Sequence, residues 1–275
     1  MPEGRTPAPS LVVQQIRYAN KLFWRTPVAA FFTLVFPLMF LVLFNILFGG
    51  EVETDVGEVS IAQFFAPALA VFAAATATYT NLGISVSISR DEGILKRIRG
   101  TPLPPWIYMT GRIGSAIWIA LLGTLVMLAV GVLAYDLDIR LSTVPAAVLT
   151  FVVGAGAFAA LGLALTAFSP TGDSAPAIAN ATILPLAFIS DVFIPLEDPP
   201  AWLDVLGDVF PLKHFVGAFQ DAFNPFTADA AFRWGDLAVV AAWGAAGVLL
   251  ALRFFRWEPR GGERPRRRGR QTAPA

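Results

Sequence analysis

Basic residues in this chain are sorted by position, and long apolar runs separate the sorted segments. The first 27 residues hold Arg5, Arg17, Lys21 and Arg25. Residues 89–112 hold Arg90, Lys96, Arg97, Arg99 and Arg112. The stretch from Arg253 to Arg270 holds eight more. The alternate segments hold only Arg140, Lys213 and Arg233, together with 13 of the 20 acidic residues. A formal net charge of zero thus hides about +11 on one set of loops and about −10 on the other. This is the positive-inside pattern of a polytopic membrane protein, and it predicts class, span number and orientation together.

Composition agrees. The chain is 56% hydrophobic and only 15% charged, with a mean hydropathy of +0.63. A soluble domain carries about 25% charge. With 275 residues there is room for six spans and modest loops, not for a further soluble enzyme domain. Cysteine is absent, which excludes a disulfide framework and a thiolate metal site. No secretory signal peptide is expected: the first apolar run starts at Val28 and lacks a small-x-small cleavage site.

Six segments are long and apolar enough to cross a bilayer, at about 28–48, 61–86, 113–135, 144–168, 174–195 and 236–257. The expected fold is therefore an all-α polytopic membrane protein of six transmembrane helices. An even span number puts both termini on one side, and the basic loops make that side cytoplasmic. Loop 49–60, with Glu51, Glu53, Asp55 and Glu58, then lies outside, as does the long acidic segment 196–235.

Residues 1–27 form a cytoplasmic tail and an amphipathic entry helix over 10–26. Val12, Ile16, Ala19 and Phe23 share one face, with Gln14, Tyr18, Lys21 and Arg25 opposite. Such a helix lies in the membrane interface. Ser10 is its candidate cap and Pro27 its stop. Residues 258–275 are rich in Pro, Gly and Arg and should be disordered. Their default role is attraction to anionic lipid, not nucleic-acid binding.

Enzymatic chemistry finds little support. The chain has no phosphate loop, no His-Glu-x-x-His and no Gly-x-Ser-x-Gly. The single histidine, His214, cannot make a zinc site alone, and a structural role suits it better. Asp191, near the outer end of the fifth span, is the ionisable residue within an apolar run. It either lines the pathway or its outer gate, or reaches the outer headgroups. Arg112 reads as a topology anchor. Small residues crowd the fourth span (Gly154, Gly156, Gly162) and the sixth (Gly244, Gly247), where they let helices approach closely. Pro37, Pro67, Pro176 and Pro185 can kink their helices.

Two loop segments are more specific. In 90–104, Ile94, Leu95 and Ile98 form an apolar stripe on a short helix, with Lys96, Arg97 and Arg99 around it. Gly100 and Pro102 end the helix. It suits docking onto a cytoplasmic partner; a plain topology loop is the alternative. In 185–211, Phe188, Ser190, Asp191, Phe193 and Pro195 precede a Pro-rich turn and Trp202, an interface residue. Two short apolar helices follow, about 200–209 and 211–223, placed to re-enter the bundle.

Together these segments resemble the ABC-2 type transporter permeases, in particular the drug-resistance branch of daunorubicin exporters. The inner loop is similar to the family's Glu-x-Gly-x-Leu-x-Arg-x-Arg-x-Thr-Pro-Leu stretch, apart from small spacing differences, at Glu92, Gly93, Leu95, Arg97, Arg99, Thr101, Pro102 and Leu103. The outer segment is similar to Phe-x-Ser-x-x-Phe-x-Pro and Pro-x-Trp-Leu, at Phe188, Ser190, Phe193, Pro195, Pro200, Trp202 and Leu203. Asp191 departs from the pattern, which more often has Gly or Asn there. The resemblance covers the whole chain.

The resemblance implies a permease subunit in the plasma membrane that carries a hydrophobic or amphipathic substrate outward. It implies two permease chains, a homodimer, served by two copies of a separate ATPase that binds ATP and Mg. This chain itself would hold no cofactor, metal or catalytic residue. Residues 90–100 would be the coupling helix, with Glu92, Gly93, Ile94, Leu95, Arg97, Ile98 and Arg99 as its coupling residues, and the 188–202 segment an outer gate. An ion-coupled carrier is the alternative, but it requires polar networks in mid-membrane that the spans do not supply. A membrane enzyme or assembly subunit would need converging titratable groups.

Overall fold

The computed structural model describes residues 7–54, 57–193, 200–227 and 230–258. Helix α1 (Ala8–Trp24) begins after Pro7, with Pro9 in its first turn. Proline's fixed φ suits that turn, so the helix starts before Ser10, which lies inside it and not at its cap. Pro27 then opens α2 (Pro27–Phe48). A two-stranded antiparallel hairpin follows, β1 (Glu51–Thr54) on β2 (Gly57–Ser60). It is a small addition to an otherwise helical chain. The remaining helices are α3 (Ile61–Asp91), α4 (Ile94–Arg99), α5 (Pro105–Tyr135), α6 (Val144–Phe168), α7 (Ala175–Phe188), α8 (Ala201–Val209), α9 (Pro211–Asp221) and α10 (Trp234–Phe254).

Helix α3 is the axis of the bundle. Its N-terminus is capped by Ser60, whose hydroxyl accepts from the Gln63 N–H at 3.1 Å. Between Ile61 and Ala75 every residue but Phe64 is buried. Alanine and phenylalanine cover all its faces, which is the signature of a helix surrounded by others. Helices α2, α5, α6 and α9 pack around it.

Glycines set the closest crossings. A Cβ on Gly83 would lie 2.8 Å from the Gly162 carbonyl oxygen, so α3 and α6 meet backbone to backbone. Gly244 and Gly247 of α10 lie equally close to Ala157 and to the Ala160–Leu161 backbone of α6. Gly154 leaves room for the Phe215 ring of α9. Ordinary helix packing accounts for these small residues.

Two stretches are π-helical, Phe31–Val35 in α2 and Thr76–Asn81 in α3. Each contains a threonine whose hydroxyl donates to the carbonyl four residues back: Thr33 to Ala29 at 2.6 Å and Thr78 to Ala74 at 2.7 Å. Such back-bonding loosens the regular ladder. The Asn81 amide joins the two stretches by donating to the Thr33 hydroxyl.

Among the described residues five helices are long and apolar enough to cross a membrane: α2, α3, α5, α6 and α10. The expected fifth span is shorter. Helix α7 has 14 residues, about 21 Å at 1.5 Å per residue, against a hydrocarbon core of about 30 Å. Its end is built into the backbone. Asp191 adopts the left-handed conformation (φ 55°), and the Val192 N–H turns back to the Ala187 carbonyl at 3.3 Å. That is a helix C-cap, and it favours glycine or asparagine for steric reasons.

The charge-sorted loops gather at opposite ends. One end assembles α1, α4, the 169–174 turn and Phe255–Trp257 beyond α10. The other assembles the start of α3, the 136–143 loop, α9 and residues 222–227. There the Gln63 amide donates to the Phe223 carbonyl, Thr143 to Ala222 at 2.6 Å, and Arg140 to Thr227 at 2.6 Å.

Candidate functional site

At the basic end, α3 and α4 are nearly continuous and break at one residue. Gly93 is left-handed (φ 71°), and its N–H donates to the Arg90 carbonyl at 3.0 Å. A Cβ there would meet nothing within 4 Å, so backbone conformation and not space selects glycine. Helix α4 then runs for six residues and stops at Gly100. The Thr101 hydroxyl donates to the Ile98 carbonyl at 2.7 Å and fixes that stop.

Leu95 anchors α4. It is wholly buried among Leu82, Val86 and Tyr108, with Ile98 partly buried beside it. Ile94 is left at the surface. Glu92, Lys96, Arg97 and Arg99 all face solvent, and none forms an ion pair among the described residues. One leucine and one isoleucine therefore hold down a helix whose remaining surface is charged and open.

The junction beneath α4 is clamped. Arg90, 1% exposed, donates from Nη1 to the Thr166 carbonyl and from Nη2 to the Ser169 carbonyl at 2.7 Å. A guanidinium fork thus caps the last carbonyls of α6, where the helix dipole is negative. The Asp91 carboxylate accepts from the Gly172 N–H in the turn leading to α7. Helix α1 is seated on α5 at Gly111 and Gly114, where added Cβ atoms would strike Gln15 and Ile16. The α3–α4 corner is thereby tied to α5, to α6 and to the turn before α7.

At the acidic end, Phe193 is buried against Phe40, Phe72 and Phe188, with ring centroids 5.0–5.2 Å away. Ser190 is also buried, and its hydroxyl has no hydrogen-bond partner among the described residues. Phe188 and Trp202 are exposed; Pro195 lies outside the described residues. Helix α9 packs among α3, α6, α7 and α10 through Leu212, Phe215, Val216 and Phe219. Helix α8 stays at the surface, with Trp202, Val205 and Val209 exposed.

Residues 11–224 match the ABC-2 type transporter family. The chain belongs to that family. It is 25% identical to the daunorubicin resistance ABC transporter permease protein DrrB1 of Streptomyces coeruleorubidus, over 80% of this chain and 77% of that one. It is 23% identical to the inner membrane transport permease YadH of Escherichia coli strain K12, over 70% and 75%. The probable multidrug ABC transporter permease YbhR of the same strain is 22% identical over 68% of this chain and 51% of its own. The protein is a transmembrane permease of the ABC type.

Arg90 and Asp91, which the sequence places in a coupling helix over 90–100, belong instead to the end of α3, because the left-handed Gly93 separates them from α4. Gly111 and Gly114 escaped notice. Their spacing on an apolar helix carries no mark of the amphipathic helix laid across them. Several acidic-end charges pair with one another. Lys213 binds Asp204 and Asp208 (2.5 and 2.7 Å), and Arg233 binds Asp221 and Asp236 (both 2.9 Å). His214 bridges the Asp236 carboxylate and the Asp208 carbonyl, which gives it a structural role. Burial pulls the Lys213 ammonium down, but Asp204 and Asp208 outweigh it and hold its pKa above the ordinary lysine value. The Asp236 hydrogen bond raises Arg233 likewise, against the effect of burial and with help from Asp221.

Proposed function

We propose that this permease is the membrane subunit of an ATP-driven exporter, working as a homodimer with two copies of a separate ATPase. The ATPase binds ATP and Mg and seats α4 in a groove; α1, α4 and both termini face the cytoplasm. The observation that carries this reading is the construction of α4. Its charged surface is open while its base is clamped to the bundle at Arg90, Asp91 and Leu95. A push on α4 is delivered to α3, α6 and the start of α7 together, which suits a two-state bundle biased from outside. The substrate is a hydrophobic or amphipathic compound, in keeping with the apolar spans. Segment 188–223 forms the outer gate, with α9 as the part that re-enters the bundle.

The test is reconstitution with an ATPase encoded beside the permease. Purified permease alone should hydrolyse no ATP. Proteoliposomes with both subunits should move a lipophilic dye with ATP and Mg, and native mass spectrometry should show two of each chain. Dye movement driven by an ion gradient without the ATPase would contradict it.

A further inference from the structure

Helices α1, α3 and α5 enclose a cleft of about 390 Å³ at the basic end of the bundle. Its walls are mostly apolar, with Ala19, Leu22, Phe23, Ala77 and Ile119 among the lining residues. Into this lining the fold puts Arg112, 7% exposed, whose Nη2 has no hydrogen-bond partner among the described residues. The nearest aromatic face is Tyr108, 6.0 Å from the guanidinium carbon, which polarises the cation without neutralising it. No carboxylate forms an ion pair with Arg112 among the described residues. Of the polar side chains beside it, three already donate elsewhere. Ser85 and Ser89 donate to carbonyls of their own helix, and Asn81 donates to Thr33. A largely desolvated cation with no ion-pair partner among the described residues is unfavourable, so the arrangement calls for an anion from outside the chain.

The surroundings say which kind. A free anion would not need an apolar cleft. Helix α1 carries Arg17, Lys21 and Arg25 on its exposed side, which places the cleft mouth in a layer of anionic headgroups. Glu92 lies on the rim and is exposed, where solvent screens it. We propose that the cleft binds one anionic phospholipid of the leaflet that holds α1. Its phosphate takes the forked Arg112 guanidinium, and one acyl chain runs along Leu22, Phe23 and Ile119. The lipid completes the packing of α1 on the bundle, directly beside the α3–α4 corner.

The experiment uses the full chain purified in a neutral detergent. Thermal unfolding and native mass spectrometry are read with phosphatidylglycerol, phosphatidylcholine, diacylglycerol or inorganic phosphate added. Phosphatidylglycerol should raise the melting temperature and leave one lipid retained per chain, and the other three should do neither. Arg112→Gln should lose both effects, with its lipid-free melting temperature unchanged or higher. Leu22→Trp obstructs the chain slot at a position already 42% exposed, keeps the charge, and should also lose retention. Neutralising Arg266, Arg267 and Arg268 of the tail should leave both effects intact. A phosphatidylglycerol response that survives Arg112→Gln and Leu22→Trp would overturn the proposal. So would equal stabilisation by phosphatidylcholine or by phosphate alone, or a response lost only when the tail is neutralised.

Discussion

The two ends of this permease hold their charges in opposite ways. At the acidic end Lys213, His214 and Arg233 are spent on Asp204, Asp208, Asp221 and Asp236, and the ion pairs knit α8, α9 and α10 together. At the basic end Lys96, Arg97 and Arg99 point to solvent with no ion-pair partner among the described residues, while a different base, Arg90, is buried in the joint below them. Charge at the acidic end stabilises the subunit's own loops. Charge at the basic end is divided between an internal clamp and a surface left open. An end meant only to be anchored in water has no need of such a clamp.

Substitutions can break this contrast, and the largest effect is expected at Leu95. Leu95→Asp puts a carboxylate into a wholly buried site, which costs about 3–5 kcal/mol when nothing pairs with it. Helix α4 should detach and ATPase copurification should disappear, while the acidic end keeps its fold by hydrogen exchange. Arg90→Ala comes next. It removes two charge-assisted hydrogen bonds to α6 carbonyls, each worth about 1.5–3 kcal/mol. The melting temperature should fall clearly, and Arg90→Lys should restore only part because it lacks the fork.

The two left-handed joints sharpen the comparison further. Gly93→Leu should cost about 1–2 kcal/mol through φ alone, and it should impair transport at normal membrane abundance. At the other end Asp191→Gly should cost less than Gly93→Leu, since glycine adopts the left-handed backbone there without strain, and that relief offsets the contact the carboxylate loses. Transport assays and membrane abundance for the two variants give the comparison. Smallest of all is Lys213→Ala. Its ion pairs are largely exposed, so about 0–1 kcal/mol is expected. Because its pKa is raised on folding, its contribution is present below the ordinary lysine value and is lost as pH rises through the raised one. The wild-type minus variant difference in melting temperature should be flat between about pH 6 and pH 9 and shrink only well above that.

Much of the scaffold was legible because membrane proteins write it in composition. Apolar length marks α2, α3, α5, α6 and α10, and loop charge sorts the ends. The short α7 was not legible. Apolar residues continue through Ile189, Val192 and Phe193, and hydropathy cannot see that Asp191 turns the backbone out of the helix. The usual Gly or Asn in the similar family pattern was the available clue, and its reason is conformational. In α4 the stripe of Ile94, Leu95 and Ile98 was visible, but not which of the three bears the load. Leu95 is wholly buried and Ile94 is not, because the break at Gly93 sets the rotation of the helix. The Arg90 clamp and the α1 seat on Gly111 depend on contacts between distant segments, which one sequence does not display.

The most direct test uses the absence of cysteine. Single replacements Arg97→Cys in α4 and Trp202→Cys in α8 give one thiol each on exposed positions at opposite ends. In membranes carrying permease and ATPase, a short thiol-to-amine crosslinker should join Arg97→Cys to the ATPase, and nucleotide should change the yield. Trp202→Cys should give no such product. Crosslinking of the ATPase to Trp202→Cys, or none from Arg97→Cys in a complex that still transports, would contradict the coupling role of the basic end.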